Sequence, residues 1–271
     1  MNYFESVLYF LQGTMEEPKP FGWFHILCIL LTGLSIFVLY QKKDNYSEAQ
    51  LKKVLGIYGI VAFVLEVMKQ IVWSFNYDIT SNLVTWDYQW YAAPFQLCTT
   101  PIYVSLICLF LKKSKLRDSL LSYLSFVTIL GSIATIIMPD SCFTSTTLVN
   151  IHTMWLHCGS LVVSIYLIFT KEVALDFKSL KNGLIVFLAF ICLAELLNVS
   201  IYNLGLLQGE TFNMFYISPY FISELPIFDM VQKSLPFVIY LLFYIIVLSL
   251  GSLLVFGIFK FIEKLKSCRN Q

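Results

Sequence analysis

Residues 54–75 read VLGIYGIVAFVLEVMKQIVWSF, an apolar run of membrane-crossing length that carries Glu66, Lys69 and Gln70 in its second half. About 20 apolar residues at 1.5 Å of rise cross roughly 30 Å of hydrocarbon, so this run predicts a transmembrane helix. An ionisable group inside such a helix is costly, and by default it marks a functional site. Glu66 and Lys69 are i,i+3 and Glu66 and Gln70 are i,i+4, so the three share one face. An internal ion pair lowers the cost of holding both charges in lipid.

Working outward, the 271 residues are 58% hydrophobic and only 13% charged, with mean hydropathy +0.75. A soluble domain carries about a quarter charged residues, so the chain belongs in a membrane. Further apolar runs at Gly22–Tyr40, Pro94–Leu111, Leu120–Met138, Asn150–Thr170, Leu180–Leu204 and Leu235–Ile262 bring the expected spans to seven. The third is the shortest. The expectation is an all-α, seven-helix transmembrane bundle.

Lysines set its orientation. Lys42, Lys43, Lys52 and Lys53 follow the first run; Lys112, Lys113, Lys115 and Arg117 follow the third; Lys171, Lys178 and Lys181 follow the fifth; Lys260, Lys264, Lys266 and Arg269 close the chain. Residues 76–93 and 139–149 contain no Lys or Arg, and residues 205–234 contain Lys233 alone. Basic residues stay cytoplasmic, which predicts an outer N-terminus and a cytoplasmic C-terminus. The net charge of +1 points to no nucleic-acid partner. Membrane lipids are the expected partners, in a bacterial cytoplasmic membrane.

Three parts are expected: an outer N-terminal segment at 1–21, the transmembrane domain at 22–262 and a basic cytoplasmic tail at 263–271. Met1–Pro20 lacks the basic start of a secretory signal, and Glu5 interrupts its apolar residues. Phe4, Leu8 and Leu11 recur at helical spacing there, as in a short interfacial helix. The seven cysteines are scattered singly, with no CxxC pair and no zinc spacing, so neither a disulfide framework nor a metal is expected. No cofactor is expected either.

On this topology, polar side chains from five spans fall at one depth, in the outer halves: His25, Glu66, Lys69, Gln70, Gln96, Cys98, His152, His157, Glu195 and Asn198. His152 and His157 are five apart, about 140° around a helix, so one small site takes only one of them on a regular helix. His157 is the deeper and is the expected base; His152 is expected at the membrane interface. Cys98 lies in PFQLCTTP at 94–101, where two prolines bracket it and Pro101 predicts a kink within the span. A kink frees main-chain amides, and free amides beside a thiol form an oxyanion hole. A Cys with a His is the equipment of covalent acyl transfer. Thr99 and Thr100 are alternative nucleophiles at the same level. Each residue also has a plainer reading: Glu66 and Lys69 as a structural pair, Asn198 as an interhelical hydrogen bond, Cys98 as packing.

FGWFH at 21–25, PFQLC at 94–98, MPD at 138–140, WLHCG at 155–159 and the NMFY at 213–216 together resemble the YwaF-like integral membrane proteins. That family is related to a mammalian ether-phospholipid acyltransferase and, more distantly, to the androgen-induced lipid hydrolases with their Thr nucleophile and His. The resemblance implies Cys98 as nucleophile and His157 as base, with Asn198 and Asn213 as polar positions on later segments. The expected function is an intramembrane lipid acyltransferase or lipid hydrolase of the outer leaflet. The alternative is a transport or binding protein whose polar layer holds a small solute or relays protons.

Overall fold

A computed structural model describes residues 1–139 and 142–269; Asp140 of the MPD stretch lies outside them, as does the side chain of Arg269. The chain opens with α1 (Tyr3–Leu11), started by an Asn2/Glu5 capping box. Its Leu8 is buried against Val72, Phe75 and Leu148, while Tyr3, Phe4 and Phe10 face outward. There follow α2 (Trp23–Gln41) and α3 (Glu48–Ser74), then a hairpin of β1 (Phe75–Asp78) and β2 (Leu83–Trp86). The strands pair antiparallel from Phe75↔Trp86 to Asp78↔Leu83. Nothing in the sequence reading anticipated this hairpin, because four-residue strands of mixed polarity carry little periodicity.

The remaining elements are α4 (Thr100–Phe110), α5 (Lys115–Phe126), α6 (Thr128–Ile137), α7 (Thr147–Phe169), α8 (Phe177–Asn203), α9 (Phe228–Ser234) and α10 (Phe237–Arg269). Helices α5 and α6 form one apolar span, Lys115–Ile137. With α2, α3, α7, α8 and α10 it makes six helices, among the described residues, long and apolar enough to cross a membrane. The third expected span differs. Its helix begins only at Thr100 and has 11 residues, roughly 16 Å of rise, about half the hydrocarbon thickness. Pro101 is the reason: it stands in the first helical turn, where the missing N–H would have no acceptor, so it starts a helix rather than kinking one.

The α5–α6 span and α7 are the inner members, whereas α2, α8 and α10 turn most of their residues outward. Leu30, Leu34, Phe63, Leu196, Leu242 and Leu254 are among the exposed apolar side chains, as lipid-facing positions require. Close packing is set by small residues. A Cβ on Gly159 would meet the Tyr58 ring at 2.6 Å, which brings α7 against α3. A Cβ on Gly183 would meet the Ser122 backbone at 2.9 Å, which does the same for α8 on α5.

The bundle has two chemically distinct ends. At one, buried Arg117 Nη2 donates to Glu48 Oε2 at 2.8 Å and Glu172 Oε1 at 3.1 Å, tying α5 to α3 and to the α7–α8 connection. The Tyr46 hydroxyl donates to Glu172 as well, and burial first, then that carboxylate, raises its pKa above the ordinary phenol value. The opposite end holds the remaining buried charges and imidazoles.

Candidate functional site

Between β2 and α4 the chain runs as a strap that is not continuous helix. A 3-10 turn at Trp90–Ala92 leads through Pro94 to a tight turn at Gln96–Thr99, in which the Thr99 and Thr100 amides donate to the Gln96 carbonyl at 3.0 and 3.2 Å. Cys98 is half-buried in that turn, as are Gln96 and Leu97. It therefore lies at the N-terminus of α4, where amides point outward and the helix dipole favours negative charge. The Cys98 amide makes no main-chain hydrogen bond among the described residues.

The strap is held from three sides. Lys69 Nζ and Gln70 Nε2, on α3, donate to the Ala92 carbonyl at 3.2 and 2.6 Å. The Trp90 amide donates to Glu210 Oε2 at 2.8 Å. Gln96 Oε1 accepts from the Phe215 amide at 2.8 Å, and Gln96 Nε2 donates to the Asn213 carbonyl at 3.1 Å. Tyr103, on α4, donates to the Pro94 carbonyl.

The second partner of the strap, residues 205–236, is itself stapled down. Asn198, fully buried on α8, brackets Met214: Nδ2 donates to its carbonyl at 3.1 Å and Oδ1 accepts from its amide at 2.7 Å. Asn213 binds within the loop, donating to the Ile222 carbonyl at 3.1 Å and accepting from the Ser218 amide at 2.8 Å. Gln232 Nε2 and Tyr240 Oη donate to the carbonyls of Ser218 and Tyr216 at 3.0 and 2.7 Å. Phe215 and Tyr216 both sit at positive φ, 58° and 59°. Bulky residues adopt that region only where their surroundings over-determine it, as these clamps do.

Beneath the strap lies the charged layer. Glu66 Oε1 is 2.7 Å from Lys69 Nζ and accepts from Gln70 Nε2 at 2.8 Å. Glu66 Oε2 is 2.7 Å from His152 Nε2. His152 is buried and turned toward α3. His157 is buried as well, on another face of α7. Its row continues through Ser160 and Ser164, whose hydroxyls meet Thr128 Oγ1 at 3.4 Å and the Leu124 carbonyl at 2.6 Å. No hydrogen bond ties down its imidazole among the described residues. Trp155 Nε1 donates to the Tyr58 carbonyl at 3.3 Å and Gly159 receives the Tyr58 ring, so WLHCG is the seam that sets the rotation of α7 on α3.

Cys98 is followed directly by Thr99 and Thr100. The two threonines beside it are committed elsewhere. Thr99 Oγ1 donates to the Gln96 carbonyl at 2.9 Å, and Thr100 Oγ1 meets Tyr123 Oη at 2.6 Å. Glu195 is half-buried one turn before Asn198, its carboxylate beside that amide. His25 stands apart, in a corner of α2 and the residues before α7: Nδ1 accepts from the Phe21 amide at 3.0 Å, and the ring packs on Phe143. The clamps at Ala92, Tyr103, Glu210, Gln232 and Tyr240 were not singled out from sequence. Most act on main-chain carbonyls, which no residue type advertises.

These elements define an all-helical integral membrane protein with a buried polar site at one end of its bundle. The chain belongs to the TMEM164 family, whose model matches residues 20–256. No curated protein and no solved structure matches it.

Proposed function

We propose that this protein is an intramembrane acyl-transfer enzyme in which Cys98 is the nucleophile and His157 the base. The observation that carries this reading is a half-buried thiol in the turn that starts α4, beside an amide with no main-chain acceptor. His157 takes the thiol proton, and Cys98 Sγ attacks the carbonyl carbon of a phospholipid acyl ester. The oxyanion is met by the Cys98 amide and the N-terminus of α4. As the tetrahedral adduct collapses, the C–O bond breaks, His157 returns the proton to the departing lysolipid oxygen, and a thioester remains. A lysolipid hydroxyl, deprotonated by His157, then takes the acyl group; water in its place gives hydrolysis. The resemblance to YwaF-like proteins and their acyltransferase relatives supports the same roles.

In the same reading the strap and α4 together make the third of seven crossings, and the site end faces outward, because every lysine-rich connection lies at the other end. Glu66, Lys69 and Gln70 hold the strap; their donors are spent on each other and on Ala92. The relay alternative rests on the Glu66–His152 contact.

The test is full-length protein in liposomes holding acyl-labelled phosphatidylcholine and an ether lysolipid. Label should move to the lysolipid or to free fatty acid, Cys98→Ala should abolish the movement, and His157→Ala should slow it by about 10²–10⁴-fold. Undiminished turnover in Cys98→Ala would overturn the assignment. Turnover absent from the wild type, together with a Glu66-dependent proton flux, would establish the relay.

A further inference from the structure

At the basic end, far from Cys98, an open groove of about 1010 Å³ runs between the start of α8 and the last turns of α10. Its wall is apolar: Phe177 packs against Phe256 with ring centroids 5.0 Å apart and planes tilted by 45°, and Phe177 and Phe261 are largely exposed. Its rim carries four lysines and two acids. Both acids are already engaged. Asp176 Oδ1 caps α8 through the Ser179 amide at 2.7 Å, and Glu263 pairs with Lys260 at 3.3 Å. Lys260 also donates to the Leu175 carbonyl at 2.9 Å. Lys171, from the α7–α8 connection, and Lys264, from α10, have no ion-pair partner among the described residues. Lys266 lies over the Tyr40 ring at 5.2 Å with its charge unneutralised. Three unpaired cations therefore crown a greasy slot at the end of two membrane-length helices. Gly257 lines the floor, and a Cβ there would meet nothing within 4 Å, so the slot reaches the α10 backbone.

We infer that this groove binds an anionic phospholipid, with the phosphodiester headgroup among Lys171, Lys264 and Lys266 and one acyl chain along Phe177 and Phe261 over Gly257. The charge on the rim selects the headgroup, and the apolar wall selects a lipid over a free phosphate. Basic pockets between helices at the cytoplasmic face recognise such headgroups. The inference stands independently of the acyl-transfer reading, since no residue is shared.

Native mass spectrometry of the full-length protein, titrated with phosphatidylglycerol and with phosphatidylcholine of equal chains, tests it. Phosphatidylglycerol should bind the wild type at least about tenfold more tightly, since each lysine near the headgroup accounts for about fivefold in affinity. Lys171→Gln with Lys264→Gln should remove most of that preference; both side chains are exposed, so the fold is retained. Gly257→Phe, which fills open space, should weaken both lipids, and glycerol phosphate alone should not compete. Equal binding of the two lipids, a preference that survives the double substitution, or indifference to Gly257→Phe would overturn the site.

Discussion

At the residue scale, the side chains around Cys98 separate the proposed nucleophile from its neighbours. Thr100 shares its hydroxyl with fully buried Tyr123, and Thr99 closes the turn on Gln96, so each is committed to structure. Thr100→Val leaves the Tyr123 hydroxyl without that partner and should cost about 1–3 kcal/mol. The chemistry should survive: thermal shift of the purified protein should drop while turnover per folded molecule stays within about twofold. Loss of turnover at unchanged stability would move the nucleophile to Thr100 and align the enzyme with Thr-dependent lipid hydrolases. What was legible here came from side-chain chemistry alone. Cys98, Gln96 and Asn198 stood out as polar residues in apolar runs. The rotation of α7 did not, because the carboxylate that draws His152 inward lies on another helix.

Elements come next, and among them the strap matters most. It reads in sequence as the weak beginning of a span, since Pro94, Phe95 and Leu97 are apolar and the composition is that of a helix in lipid. Its true form depends on acceptors that sequence does not display: the carbonyls of Ala92, Pro94 and Asn213. Non-helical backbone within a folded protein persists only where its polar groups are satisfied, and Lys69, Gln70, Tyr103 and Gln96 do so here. The Glu66–Lys69 pair should behave as a buried ion pair. Glu66→Gln or Lys69→Met alone should destabilise by about 3–5 kcal/mol. The double variant should cost clearly less than the sum, with a coupling of about 0.5–3 kcal/mol in a double-mutant cycle on detergent-solubilised protein. Additive losses would show that the two charges answer to separate partners.

For the whole molecule, segmentation was readable almost throughout. Six of the seven apolar runs became membrane-length helices close to the residues expected, because hydropathy over about 20 residues is a strong signal. The β1–β2 hairpin, the short α4 and the stapled 205–236 loop were not, since each depends on contacts far apart in sequence. The proposed sidedness rests on the lysines. Ser81→Cys, at the hairpin tip, should react with a membrane-impermeant maleimide in intact cells, and native Cys268 only after permeabilisation. The reverse would put the polar site on the cytoplasmic side.

The central claim is a covalent one, so the acyl-enzyme itself is the thing to measure. Full-length protein incubated with long-chain phosphatidylcholine and no acceptor should yield a Cys98-containing peptide that is heavier by one acyl group in mass spectra. Hydroxylamine should remove that mass, and Cys98→Ala should never acquire it. His157→Ala should acquire it slowly, because a thiol with no base to take its proton is a poor nucleophile. Lipid turnover with Cys98 unmodified at every time point, persisting in Cys98→Ala, would contradict the account.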